Sequence, residues 1–157
     1  MRALFLLPAL LLLPACGGIG GDLAGGDFSP VQGFFGGPFI VFSNQAIDCM
    51  DLWWVNKNYD EDEVPWDQSF DILQITFNNA DVVEGTFDVS GVSPVSAARL
   101  IGEGDTFDID DVSSGLLIID KVKENSKVSG EAELQLGSGI ISGSFSVGHC
   151  VNLSSAY

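Results

Sequence analysis

The fold class is decided by Val128-Ser129-Gly130-Glu131-Ala132-Glu133-Leu134-Gln135-Leu136, the turn Gly137-Ser138-Gly139, and the run from Ile140 to Val147. In the first stretch Val128, Gly130, Ala132, Leu134 and Leu136 alternate with polar residues; in the last, Ile141, Gly143, Phe145 and Val147 alternate with Ser142, Ser144 and Ser146. A period of two is what burial of one face of a strand requires. Two such runs joined by a tight glycine turn predict a hairpin. A second turn at Lys123 to Ser126 ties the hairpin to the preceding apolar run and makes a three-stranded meander.

Upstream, short runs recur every eight to twelve residues or so, separated by glycine, asparagine and aspartate. Strands are expected at Phe39 to Phe42, Leu52 to Val55, Phe70 to Phe77, Thr86 to Val89, Ala97 to Ile101, Asp105 to Asp110 and Leu116 to Ile119. Leu73, Ile75 and Phe77 share a face from which Phe70 and Ile72 fall out of phase, so a bulge or bend is expected near Ile72. Phe107 and Ile109 are expected to point inward. Nothing longer than the first fifteen residues has a helical period, which predicts an all-β antiparallel sandwich or small barrel closed by the C-terminal meander.

The chain opens with Met1 and Arg2, an apolar run from Ala3 to Leu13, and Leu13-Pro14-Ala15-Cys16. The apolar run falls well short of the roughly 20 residues a membrane-spanning helix needs, and reads as a secretory leader. Leu13-Pro14-Ala15-Cys16 resembles the lipobox of bacterial lipoproteins. The resemblance implies that residues 1–15 are a signal peptide, Leu13 the recognition leucine, Ala15 the residue before the cut, and Cys16 the lipidated first residue of the mature chain. A diacylglycerol on the thiol and an acylated amino terminus would then anchor the protein to a membrane, each buried methylene contributing about 0.8 kcal/mol. Gly17 rather than aspartate after Cys16 implies, in that family, export to the outer membrane, and so an extracytoplasmic place in the cell envelope. The C-terminal run Gly143 to Cys150 likewise resembles small uncharacterised bacterial lipoproteins that close on a similar glycine, phenylalanine and cysteine pattern.

Nine of the nineteen glycines fall between Gly17 and Gly37. Residues 16–38 are therefore read as a flexible tether, with a coil span of roughly 25 Å over its 21 glycine-rich residues, and residues 39–157 as the β domain. Phe34 and Phe35 are expected to begin packing on that domain.

The chain carries 22 acidic and six basic side chains, a net charge of −16, and Arg2 would leave with the leader. Nucleic acid and anionic head groups should be repelled. With 46% hydrophobic residues and eleven phenylalanines, the sequence is too apolar for a disordered acidic tail.

With Cys16 assigned to lipid, Cys49 and Cys150 remain, and an oxidising compartment predicts that they are joined. The rival reading is two free thiols or a metal pair, and the metal pair lacks ligands. A closed zinc site usually takes four, and His149 is the sole histidine.

His149 also leaves nucleophilic catalysis without a base, and no Gly-x-Ser-x-Gly elbow occurs, so the domain is read as non-enzymatic and without a required cofactor. A paired-carboxylate hydrolase is the weakest reading. Calcium is the better chemical expectation, at Asp60 and Asp62 or at Asp108 and Asp110, although neither group fits the calcium-loop spacing. On alternate strand positions Asp108 and Asp110 would face solvent. Trp66 and Tyr59, in the Asn58 to Asp67 loop, are the candidates for a glycan or protein partner. The first reading is a lipid-anchored structural or interaction module; the second is a calcium- or carbohydrate-binding surface lipoprotein.

Overall fold

The computed structural model describes residues 21–54, 69–78, 80–103 and 106–154. They form a closed, eight-stranded mixed β-barrel. In chain order the strands are β1 (Gln32–Gly36), β2 (Phe39–Ser43), β3 (Ser69–Phe77), β4 (Gly85–Val89), β5 (Val95–Glu103), β6 (Thr106–Asp111), β7 (Ser114–Lys123), β8 (Lys127–Leu136) and β9 (Gly139–His149). Around the ring the order is β3-β2-β1-β9-β8-β7-β4-β5. Nine residue pairs from Ser69↔Glu103 to Phe77↔Val95 close β5 back onto β3. The opposite edge of β5 meets β4 at Val89↔Val95, in parallel, and then carries β6 from Ala98↔Asp111 to Glu103↔Thr106.

The meander forms as its alternation dictates. Val128, Ala132, Leu134, Leu136, Ile141, Phe145 and Val147 are buried in the main core together with Leu117 and Ile119, and the hairpin pairs from Lys127↔Gly148 to Leu136↔Gly139. Side chains fill the barrel interior, as in other small barrels. Phe35, Ile40, Phe42, Leu73, Ile75 and Phe77 supply its other wall.

The β1-β2-β3-β5 wall is buried on both faces. Phe34, Val41, Phe70, Ile72 and Leu100 point outward into a second core with Leu52, Cys150 and Leu153. This explains why Phe70 and Ile72 break the phase of β3 without a bulge: the strand keeps one continuous register with β2 and with β5. In place of the bulge expected near Ile72, β3 keeps an unbroken register and buries two apolar faces.

The cover over this outer core comes from a 3₁₀ helix, Cys49–Trp54, and a four-residue α1, Val151–Ser154. The helix stands where a strand was expected from Leu52 to Val55. Asp48 Oδ1 accepts the Met50 N–H at 3.1 Å, starting a turn, and the Cys49–Cys150 disulfide pins that turn beside Leu52, which is fully buried. Val55 lies outside the described residues.

The fold also begins earlier than Phe39. From Gly21 the segment expected as tether is part of the barrel: Leu23 and Phe28 are in the main core, 2% and 1% exposed, and β1 runs through Phe34 and Phe35. Residues 16–20 lie outside the described residues. In β6, Ile109 is 53% exposed instead of inward, because the register sets Asp110, not Ile109, beside Arg99 of β5.

A buried arginine at one mouth of the barrel as candidate functional site

Arg99 shares the inward phase of β5 with Val95 and Ala97, and Asp71 shares the inward phase of β3 with Leu73, Ile75 and Phe77. The strand pairing sets Arg99 opposite Leu73 and Asp71 opposite Ile101, so the two charges lie on one diagonal. Arg99 Nε and Nη2 donate to the two oxygens of Asp71, both at 2.7 Å. Nη1 donates to Asp27 Oδ1 at 2.6 Å, and the Phe28 ring lies with its centroid 5.3 Å from the guanidinium carbon. The arginine side chain is 2% exposed, Asp71 14% and Asp27 78%. A forked carboxylate pair, a second carboxylate and an aromatic face are what a desolvated guanidinium needs.

The surrounding groups fasten the N-terminal segment to this mouth. Asn44 donates its amide to Asp71 at 2.5 Å and accepts the Ser29 N–H at 2.9 Å. Gln45 Oε1 accepts the Asp71 N–H at 3.0 Å. On the far side Asp110 accepts the backbone amides of Gly137 and Ser138 at 2.9 and 3.0 Å, stitching β6 to the β8–β9 turn. Asp110 was expected to face solvent on its alternate strand position; instead it is a partly buried backbone acceptor, while Asp108 is exposed.

The electrostatics follow. The hydrogen bonds that Arg99 donates to Asp71, and then that to Asp27, hold it above its ordinary pKa against the burial that opposes its charge. The Arg99 hydrogen bond holds Asp27 below its ordinary value of 3.8. Hydrogen bonds from Ser138 and from the turn amides do the same for Asp110. A guanidinium so held neither gives nor takes protons near neutral pH, and its carboxylates are engaged as acceptors. This arrangement works as a clasp.

Cys49 and Cys150 form the disulfide, with Cα atoms 5.6 Å apart, and join the chain after β2 to the end of β9. His149 packs edge-on against Phe35, ring centroids 5.2 Å apart. Cys16, Tyr59, Asp60, Asp62 and Trp66 lie outside the described residues. Among the described residues no three His, Cys, Asp or Glu side chains are grouped to hold a metal ion. On the outer face of the meander an open concavity of about 410 Å³ is lined by Leu116, Ile118, Glu131, Glu133, Ser142 and Ser144. Its two glutamates stand two residues apart on one strand, side by side and not facing each other across a cleft.

Arg99, Asp71 and Asp27 were not among the residues singled out from the sequence. A signal was there: opposite charges on the inward phase of two otherwise apolar strands, which burial permits only when they meet. No family model matches this chain, and neither the curated proteins nor the solved structures contain a match to it.

Proposed function

We propose that this protein is a lipid-anchored component of a bacterial cell envelope, held by acyl chains on Cys16, whose barrel is a non-enzymatic structural or interaction module. The observation that carries the reading is the leader, with Leu13-Pro14-Ala15-Cys16 placed directly after the apolar run. Two features of the body support it. The barrel interior is filled by side chains of the main core, and the buried Arg99 guanidinium is paired with two carboxylates of its own chain. A disulfide across the domain suits an oxidising, extracytoplasmic compartment.

The early start of the fold changes what the anchor would do. From Cys16 to Gly21 are five residue steps, which reach at most about 18 Å when fully extended. A barrel on so short a lead stays close to the bilayer. Its acidic surface opposes adsorption onto anionic head groups over a screening length of about 8 Å at physiological salt. The outer membrane of the cell envelope is the place proposed for it, on the strength of Gly17 after Cys16.

The test is the intact mass of protein extracted from membranes. A chain starting at Cys16 with added acyl mass is expected; the same chain with a bare thiol removes the proposal. Calcium or glycan binding through Tyr59, Asp60, Asp62 and Trp66 is the second reading, and a melting temperature unmoved by calcium or by a glycan panel removes it.

A further inference from the structure

β1 and β9 pair in parallel at Phe34↔Gly148 and Phe35↔His149, and toward the Arg99 mouth the fork between them is filled by residues 22–28. Asp22 N–H donates to the Ser144 carbonyl at 2.9 Å, and Ala24 and Ser142 exchange bonds of 3.0 and 2.9 Å. Gly25 and Phe28 then close a tight turn on each other, at 3.1 and 3.0 Å. Leu23 and Phe28 enter the core, and Asp27 reaches Arg99. The seam is too close for side chains at its crossing points. A Cβ on Gly25 would run into the Ile140 carbonyl oxygen, and one on Gly143 into the carbonyl of Asp22. Gly143 also has φ +138°, a conformation L side chains rarely adopt.

This wedge is an extended peptide added to a sheet edge, the geometry by which sheets capture peptides. Whatever fills the fork needs a short strand with an apolar side chain for the Leu23 socket, no side chain against Ile140, a carboxylate for Arg99 Nη1, and an aromatic ring over it. Gly21-Asp22-Leu23-Ala24-Gly25-Gly26-Asp27-Phe28 meets those demands, and every copy of the chain carries it. Ser29-Pro30-Val31 joins the wedge to β1, with Val31 56% exposed. These three residues are the hinge of an exchange, which must release or re-form the bonds of the Ser29 N–H to Asn44 Oδ1 and of the Val31 N–H to the Ser43 carbonyl, 2.9 and 2.8 Å.

The geometry points to an exchangeable wedge: residues 21–28 of one copy seat in the β1–β9 fork of a second copy, giving a reciprocal dimer in which each partner supplies Leu23, Asp27 and Phe28 to the other's barrel. Exchange of an identical element keeps every seam contact, so concentration and the hinge decide the balance. Anchoring of copies to one membrane would raise that concentration. The seam itself rests on the barrel alone and not on the anchor reading.

The test uses the full chain as two single variants, Ala24→Cys and Ser142→Cys. These exposed positions form a hydrogen-bonded antiparallel pair, whose Cα separation of about 5.5 Å suits a disulfide. Mixed and oxidised, the two variants are expected to give a reducible dimer joining position 24 of one chain to position 142 of the other. With Gly25→Val added to the Ala24→Cys chain, the yield should fall at least tenfold. A chain carrying both cysteines should close as a dimer with two bridges. No mixed dimer, together with complete closure of that double variant within single chains, would overturn the proposal. The unaltered chain, oxidised in parallel, reports any dimer made through a bare Cys16 thiol, so a failure of the anchor is read separately from a failure of the exchange.

Discussion

The two edges of β9 are satisfied in opposite ways. One pairs with β8 across ten consecutive residues, Lys127↔Gly148 to Leu136↔Gly139, and is joined to it by a two-residue turn at Gly137 and Ser138. The other is shared between a two-residue parallel contact with β1 and the wedge, which comes from more than a hundred residues away in the chain. A local partner needs only alternation and a turn. A distant one needs fasteners, and two gather on that side: the Arg99 clasp and the disulfide.

That contrast can be broken or sharpened by experiment, and the largest effect belongs to the disulfide. Replacing Cys49 and Cys150 together by serine opens a loop with a sequence separation of 101. For a loop of this size the chain-entropy model gives a loss of up to about 4.7 kcal/mol. Urea unfolding should show a lower midpoint; an unchanged midpoint would mean that the outer core alone holds α1 and the 3₁₀ helix.

Next comes Arg99→Met, which leaves the mostly buried Asp71 without its guanidinium. Breaking a buried pair from one side costs about 3 to 5 kcal/mol, and the double variant with Asp71→Leu should recover much of it. If the single variant is as stable as the parent, the clasp is ornamental and the contrast fails.

A smaller effect separates the two edges directly. Gly25→Ala forces a methyl against the Ile140 carbonyl, and Gly130→Ala forces one against the Ile118 carbonyl inside the meander. Overpacking of this kind typically costs about 1 to 3 kcal/mol. Hydrogen exchange should then show Gly25→Ala loosening the amides of Ala24 and Ser142 while β7 and β8 stay protected. Gly130→Ala should lower protection throughout the meander. Uniform loosening by both would make the wedge and the meander one cooperative unit.

The smallest effect is that of Asp27→Asn, because Asp27 is largely exposed. Its pKa is lowered in the folded state, so the carboxylate's contribution is present above its ordinary value of 3.8 and is lost as pH falls through the lower, folded value. Melting curves should show a small, constant gap between the parent and Asp27→Asn near neutral pH. As pH falls through the lowered, folded value the two should converge.

Much of this was legible in the residues. Val128 to Val147 prescribes its strands, their inward faces and their turn, because a period of two admits one side to the core. Phe70 and Ile72 misled for a physical reason: an out-of-phase apolar residue marks either a bulge or a second buried face, and the cover that decides between them comes from Leu52 and Leu153, far away in sequence. Glycine between Gly17 and Gly37 suggested freedom, whereas Gly25 is there because a backbone passes too close for a side chain. Asp110 looked like a solvated acid because the turn it binds lies 27 residues on.

The residues in order were enough for an all-β body, its meander and the pairing of Cys49 with Cys150. Alternation, composition and residue inventory are local properties, so a chain read in one dimension contains them. Closure of the sheet through β3 and β5, the wedge made by residues 21–28, and the meeting of Arg99 with Asp71 and Asp27 came with the folded chain. Each of those depends on a backbone or a charge meeting its complement across tens of residues, and that meeting exists only once the chain has folded.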